Sequence, residues 1–324
     1  MTRLETLLAQ YEGFGPGCAV LVVEGDGEPL MTTRGYADVE RAEPVTADTN
    51  FRLASISKQM TASAILKLRA AGRIRLGTTL GELFPDIGAY ARPITIEQLL
   101  THTSGLLDYE NLLEAGRERV SDRDVFALLA QQDRCAFEPG SEFRYSNSGY
   151  CVLACVIEKV SGMTFPEFMR AELFLPMGME HTFVNEEGVT AIPHRAYGYS
   201  KSGEGWSRTD QDATSATMGD GGTYSSVRDL RLWIRHLDEM NLLEKTVPTE
   251  KSSPNVRYGF GIFCRSDRDT TVQYHAGSSI GFRSGLYRIP ERGLSIVWLS
   301  NRNSGDPLAL CERYANGHDS PRVV

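Results

Sequence analysis

No stretch of the 324-residue chain is long and uninterruptedly apolar, so no membrane-spanning helix is expected. The opening residues MTRLETLLAQYEGFGPG include Glu5 and Glu12 and have no apolar core of signal-peptide length. Taken as a complete chain, that start implies a cytoplasmic protein, or a periplasmic one if a leader has been removed. Long basic runs are missing too. A formal net charge of −8 and a pI near 5.4 argue against nucleic acid or an anionic membrane surface as partner. The six histidines contain no His-Glu-x-x-His and no paired spacing. Cys151 and Cys155 share a helix face but have no histidine beside them, so no metal site and no cofactor is expected. The six cysteines are scattered, mostly among apolar neighbours, which suits reduced buried thiols better than a disulfide framework. There is no internal repeat.

What is present is ordinary for a soluble globular protein: 41% hydrophobic and 23% charged residues, in a chain long enough for a large core. Strand-like segments stand at both ends. Cys18–Glu24 is β-branched and leads through Gly25-Asp26-Gly27 to a second strand near Leu30–Ala37. Late in the chain Tyr258–Cys264, Thr271–His275, Phe282–Arg288 and Leu294–Leu299 read as an antiparallel meander. Helical signals fill the middle. Ser55–Ala71 has an apolar stripe through Ile56, Met60, Ala64, Ile65 and Leu68. Thr95-x-x-Gln98, Ser121-x-x-Asp124, Thr164-x-x-Glu167 and Ser226-x-x-Asp229 each spell a helix start, and Tyr150–Val160 reads as a buried helix. The expected architecture is α/β of the α+β type. One antiparallel sheet is built from about 1–50 and 250–324, with a helical lobe at about 75–215 inserted in a single domain of 1–324. The polar stretch Gly198–Thr217 is too long for an ordinary connector and reads as either a site rim or a surface loop. Its Trp206, and Tyr197 and Tyr199 at its start, are the aromatic residues open to lining a rim.

Three short segments carry chemistry. Ser55-Ile56-Ser57-Lys58 is a Ser-x-x-Lys at a helix start, and three-residue spacing brings the two side chains onto one face. A serine hydroxyl needs a base to become a nucleophile, and a lysine at a helix N-terminus has its pKa pushed towards that use. The plainer alternative makes Ser55 an N-cap and Lys58 a solvated side chain. Tyr145-Ser146-Asn147 follows the loop residues Pro139 and Gly140 and precedes the buried helix. A phenol there can relay a proton, and an amide can hold a lysine or a substrate carbonyl; a turn with an Asn cap would have the same spelling. The third segment is YHAGSSIGF, residues 274–282, on a predicted strand. Its GSSIG matches the Gly-x-Ser-x-Gly elbow and nominates Ser279. An elbow needs a strand, a sharp turn and a helix, however, and the residues after Gly281 spell another strand.

Ser-x-x-Lys, then Tyr-x-Asn, then His275-Ala276-Gly277 on a late strand resembles the serine β-lactamase and penicillin-binding-protein superfamily. Leu99-Leu100-Thr101-His102-Thr103-Ser104-Gly105-Leu106 and Gly221-Gly222-Thr223-Tyr224-Ser225-Ser226 are similar to segments of its class C β-lactamase-like members. The resemblance runs from about Gly17 to Asn301. It implies the β-lactamase/transpeptidase-like fold, Ser55 as acylated nucleophile, Lys58 as its base and Tyr145 as acid/base partner. It implies further that Asn147, His275, Gly277 and Ser278 line the substrate, that the N–H groups of Ser55 and Ser278 form an oxyanion hole, and that no cofactor is needed.

His275 and Ala276 stand where many relatives carry Lys and Thr for a substrate carboxylate, and neither supplies that pair of groups at neutral pH. The reading is therefore a serine hydrolase acting through an acyl-enzyme on small carboxylic esters, as in family VIII esterases. A D-stereospecific peptidase or amidase, a DD-carboxypeptidase and a weak β-lactamase are the alternatives. A rival of another class is a catalytically silent binding or assembly protein of the same fold. Competent residues at all three catalytic positions argue against it. Arg283 is a possible replacement for the missing charge or a structural ion pair. His102 and His194 read as loop residues. The expected partner is a small ester or amide, and both a monomer and a homo-oligomer are compatible with the sequence.

Overall fold

The run CAVLVVE shows how the sheet is buried. In this strand, Cys18–Glu24 (β1), successive side chains alternate between faces. Ala19 and Leu21 join one apolar core, while Cys18, Val20 and Val22 join another. Burial on both sides is why the strand is almost continuously apolar. The computed structural model describes residues 2–114, 116, 118–186, 188–250, 255–267 and 270–317. Among these, eight strands make one antiparallel sheet. After β1 come Leu30–Arg34 (β2), Val247–Pro248 (β3), Val256–Tyr258 (β4), Phe263–Asp267 (β5), Thr270–Ser279 (β6), Phe282–Ile289 (β7) and Leu294–Ser300 (β8). Their spatial order is β3-β4-β5-β6-β7-β8-β1-β2. β1 lies between β8 and β2, pairing Cys18 with Ser300 and Glu24 with Leu294, so both chain ends share the sheet.

One face of the sheet is covered by the terminal helices Arg3–Leu8 (α1) and Pro307–Asn316 (α6), which set Leu4, Leu7, Leu8, Leu310 and Cys311 against Val20, Ile296 and Trp298. The core on the other face continues into the helices of the middle, Ser57–Ala70 (α2), Asp122–Ala130 (α3), Asn147–Ser161 (α4) and Val227–His236 (α5), of which α5 packs on β1 and β8. The helix-start spellings act as written. Thr95, Ser121 and Thr164 each form a reciprocal capping box, and the Ser226 hydroxyl accepts from the Asp229 N–H. The six cysteines are free thiols, and no helix among the described residues is long and apolar enough to cross a membrane.

Two of the expected strands are interrupted, each at a glycine. Leu30–Ala37 breaks at Gly35, whose φ is +69° and where a Cβ would meet the Gly17 Cα at 2.7 Å. The chain leaves the main sheet there and pairs as Tyr36–Asp38 with Glu43–Pro44. Tyr258–Cys264 is two strands, the end of β4 and the start of β5. Gly261 between them has φ +79°, and a Cβ on it would lie 2.7 Å from the Gln59 backbone, so the reversal presses on the first turn of α2. β6 is longer than Thr271–His275 and includes the whole His275–Ser279 segment.

Candidate active site

Ser55 sits in a tight turn, Ala54–Ile56, between the short strand Phe51–Arg52 and α2. It caps nothing: α2 begins at Ser57, and no side-chain cap bond is made at its start. Ala54 takes a φ of +49°, a conformation that non-glycine residues seldom adopt, immediately before the serine. Packing holds that turn in place. The Leu53 carbonyl accepts from Ser284 Oγ at 2.7 Å. A side chain on Gly277 would collide with that same carbonyl and with Ser284 Oγ, so the glycine is what lets β6 run against the turn. From the other side, Gly221 approaches close enough that a Cβ would be 3.6 Å from Ala54.

Lys58, the second residue of α2, is fully buried. Its Nζ donates to Ser55 Oγ at 3.0 Å, Asn147 Oδ1 at 2.9 Å and the Asp220 carbonyl at 2.8 Å. Ser55 Oγ, Asn147 Oδ1 and the Asp220 carbonyl thus surround the amine at hydrogen-bond distance. The Tyr145 ring lies 5.1 Å from Nζ and the Tyr150 ring 5.5 Å. Tyr145 is 37% exposed, which leaves it open to solvent or substrate beside a buried amine. Asn147, the first residue of α4, donates through Nδ2 to Glu110 Oε1 at 2.8 Å. Ser55, Lys58, Asn147 and Glu110 thus form one hydrogen-bonded chain, and a serine, an amine and a phenol converge at one edge of it.

A family model described as Beta-lactamase matches residues 5–317. The chain belongs to that family of serine hydrolases. A penicillin-binding protein 4* of Bacillus subtilis is 29% identical over 93% of this chain and 71% of its own length. A D-aminopeptidase of Gluconobacter oxydans is 30% identical over 92% of this chain. The chain spans only 58% of that relative. Among solved structures, a D-stereospecific amidohydrolase from Streptomyces superposes with a TM-score of 0.81 at 25% identity, with 98% of each chain covered. The β-lactamase/transpeptidase-like fold expected from the three motifs is therefore the fold of this chain.

A cleft of about 410 Å³ opens over Ser55 and is lined by Asn147, Ser278, Ser279, Glu110, Asp220 and Arg283, among others. Ser279 pairs with Phe282 across the two-residue turn of the β6–β7 hairpin, so no helix follows it and the elbow geometry is absent. Ser278 lines the cleft one residue before Ser279. His275 does not line the cleft. It is 2% exposed behind Tyr145, its Nδ1 2.7 Å from the Ala276 carbonyl oxygen and its Nε2 3.4 Å from the Tyr258 hydroxyl. His102 is likewise buried, its ring 4.3 Å from that of Tyr145 and its Nδ1 accepting the Ser146 N–H at 3.1 Å. It supports the tyrosine from beneath.

The long polar stretch is split in its duties. Tyr199–Ser202 and Gly205–Arg208 form a small hairpin, and Ser200, Asp212, Thr214 and Thr217 contribute to the cleft. Its aromatic residues face elsewhere. Tyr197 stacks under the Arg208 guanidinium, Tyr199 is buried against Val39 and Glu40, and Trp206 lies by Arg302 and Lys201. His194 is a loop residue whose carbonyl accepts the Asn50 N–H.

Sequence reasoning passes over Glu110. It sits on a single turn, Tyr109–Leu112, in a segment with no motif, and only the fold brings it to Asn147. Burial raises its carboxyl pKa, while the Asn147 hydrogen bond works against that rise.

Burial, with a smaller contribution from Lys58, pushes the His275 imidazole down to about 3, and burial drives His102 well below its usual value too. The unfolded chain takes up these protons below about pH 6.5, whereas the folded chain keeps His275 neutral down to about 3. The stability from His275 is thus whole above 6.5 and is lost as the pH falls towards 3, by up to roughly 1.4 kcal/mol per unit. Asp122, raised to about 7 by burial and by Asp220, works in the opposite direction between about 3.8 and 7. The readout is therefore a difference. Thermal unfolding from pH 7 to 4 should show a smaller loss of Tm in His275→Gln than in the unmodified protein. Equal slopes would show that His275 is not kept neutral by its surroundings.

Proposed function

We propose that this chain is an amidohydrolase that releases an N-terminal D-amino acid from an amide or short peptide. Ser55 Oγ attacks the carbonyl carbon while its proton passes to Lys58 in its neutral form. The backbone N–H groups of Ser55 and Ser278 hold the oxyanion. Tyr145 hands a proton to the departing amine as the C–N bond breaks. Water then attacks the acyl-Ser55 ester, giving a proton to the Tyr145 phenolate while Lys58 returns its own to Ser55 Oγ, and the amino acid is freed.

One observation carries the choice of substrate. Glu110 places a carboxylate on the cleft wall, joined to Ser55 through Asn147 and Lys58 by hydrogen bonds of 2.8, 2.9 and 3.0 Å. An α-amino acid amide carries its ammonium one carbon away from the scissile carbonyl, and a carboxylate lining the same cleft as the nucleophile is a suitable partner for it. A simple ester has nothing to pair with Glu110. The cleft's polar lining, with Asp212, Thr214, Thr217 and Asn303, also suits an ammonium-bearing amide better than an acyl chain. The activities for which two relatives are named, D-aminopeptidase and D-stereospecific amidohydrolase, point the same way and suggest the D configuration. The esterase expectation accordingly yields to its peptidase and amidase alternative.

The test compares D-alanine p-nitroanilide with its N-acetyl derivative and its L enantiomer. The free D-amine should be preferred in kcat/KM. Glu110→Gln should lose about 10-fold or more of the preference for a free over an acetylated amine. Equal use of both amines by the unmodified protein would remove the aminopeptidase reading.

A further inference from the structure

Arg52 stands three residues before Ser55, lines the same cleft, and is only 3% exposed. Its NH1 donates to the Ser215 carbonyl at 3.0 Å, and its Nε is buried with no partner. Among the described residues no carboxylate comes within ion-pair distance of it. Other buried arginines of this fold are provided for. Arg288 pairs with Asp238 at 2.9 Å, and Arg302 has the carbonyls of Pro16 and Gln10 and is stacked by Tyr11 and Trp206. Removing a guanidinium from water without a counter-charge is costly, and a protein retains such a group where an anion arrives to meet it.

A second guanidinium lies in the same cleft as Arg52. Arg283, on the strand after the β6–β7 turn, lines the cleft too and makes no ion pair among the described residues; its NH1 is occupied by the carbonyls of Ser279 and Phe282. Thr214, Thr217, Ser278 and Ser279, all hydroxyl-bearing, belong to the same lining. Asp212 is the acid nearest in sequence to the Ser215 carbonyl that Arg52 holds. Its Oδ1 is taken up by Thr214 N–H, Thr214 Oγ1 and Ser215 Oγ. The cleft therefore offers carboxylates at Glu110, Asp212 and Asp220 and, among the described residues, a guanidinium at Arg52 that none of them pairs with.

We propose that Arg52 is the anion-recognising residue of this site and that the preferred substrates carry a carboxylate besides their ammonium. Such a substrate is a short D-aminoacyl peptide rather than a neutral amide. The assignment rests on the D-aminoacyl reading above for the substrate backbone, but not for the carboxylate. Recognition falls to the wall beside the nucleophile turn, away from the buried His275.

Three comparisons test it. First, D-alanylglycine should be cleaved with a kcat/KM at least about 10-fold above that of D-alanylglycinamide. In Arg52→Gln that ratio should fall to near one, and Arg52→Lys should recover part of it. Second, D-glutamic acid p-nitroanilide against the D-glutamine compound asks whether the carboxylate comes from the side chain instead; a preference there, lost in Arg52→Gln, also supports Arg52 and relocates the anion. Third, Ser55→Ala protein titrated calorimetrically with acetylglycine and with acetylglycinamide reads the anion site without any turnover. Tighter binding of the carboxylate is expected. If no D-aminoacyl compound is cleaved yet the carboxylate binds more tightly, the aminopeptidase reading fails and Arg52 stands. Equal binding of acid and amide, or equal cleavage within both substrate pairs, overturns the assignment whatever the variants do.

Discussion

Ser55→Ala should lower turnover of an activated D-aminoacyl anilide by at least roughly 1,000-fold, because no other hydroxyl in the cleft has a lysine amine at hydrogen-bond distance among the described residues. The same substitution should abolish labelling by a covalent serine probe, located by mass spectrometry on the peptide containing residue 55. Ser279→Ala should leave that label in place. Ser279 lines the cleft and matches the elbow spelling without its context, so the pair of variants separates the expected nucleophile from the serine that only the spelling nominates. A label on residue 279, or full activity in Ser55→Ala, would reject the mechanism.

The second large effect is expected from a residue with no functional group. Gly277→Ala adds one methyl where the Leu53 carbonyl and Ser284 Oγ already stand. Either β6 moves off the Ser55 turn or the Ser284–Leu53 hydrogen bond breaks. Both outcomes displace the nucleophile relative to the Ser278 N–H. Overpacking of this kind costs about 1–3 kcal/mol, and a buried acceptor left unpaired adds about 1–3 more. Activity should drop by roughly 100-fold or more in the fraction that remains folded, with a lower Tm in the same preparation. The motif assigns Gly277 to the substrate edge. The structure adds a backbone neighbour, so a Gly277→Ala protein with unaltered Tm and kcat would show that β6 can shift without consequence.

How much can be read in advance depends on how each feature is encoded. Ser55 and Lys58 are close in sequence, and helix geometry alone brings them together. Tyr145 and Asn147 announce themselves through the loop before a buried helix. The two-ended sheet follows from apolar strands at both termini. Other parts have no local mark. The Asp220 oxygen that holds Lys58 is a backbone carbonyl, which any residue would supply. Glu110 and Arg52 are ordinary charged residues until folding deprives one of solvent and the other of a counter-ion. The motif puts His275 at the substrate edge, whereas Tyr258 and Phe263 from neighbouring strands close over it. Periodicity cannot report such coverage, because it depends on the reversal at Gly261 that joins those strands.

The pairing of β1 with β8 has a consequence during synthesis. Residues 18–24 leave the ribosome long before residues 294–300, the partner that covers one of their edges. At about 5–20 residues per second the first strand waits on the order of tens of seconds for the last. Over that interval an apolar strand destined for burial on both faces has only β2 beside it, and the β6 wall of the cleft cannot close on Ser55 before residues 270–279 are made. The Ser55 turn is thus without its β6 support until residues 270–279 have been made, and the β1–β2 hairpin keeps one edge unpaired until β8 follows.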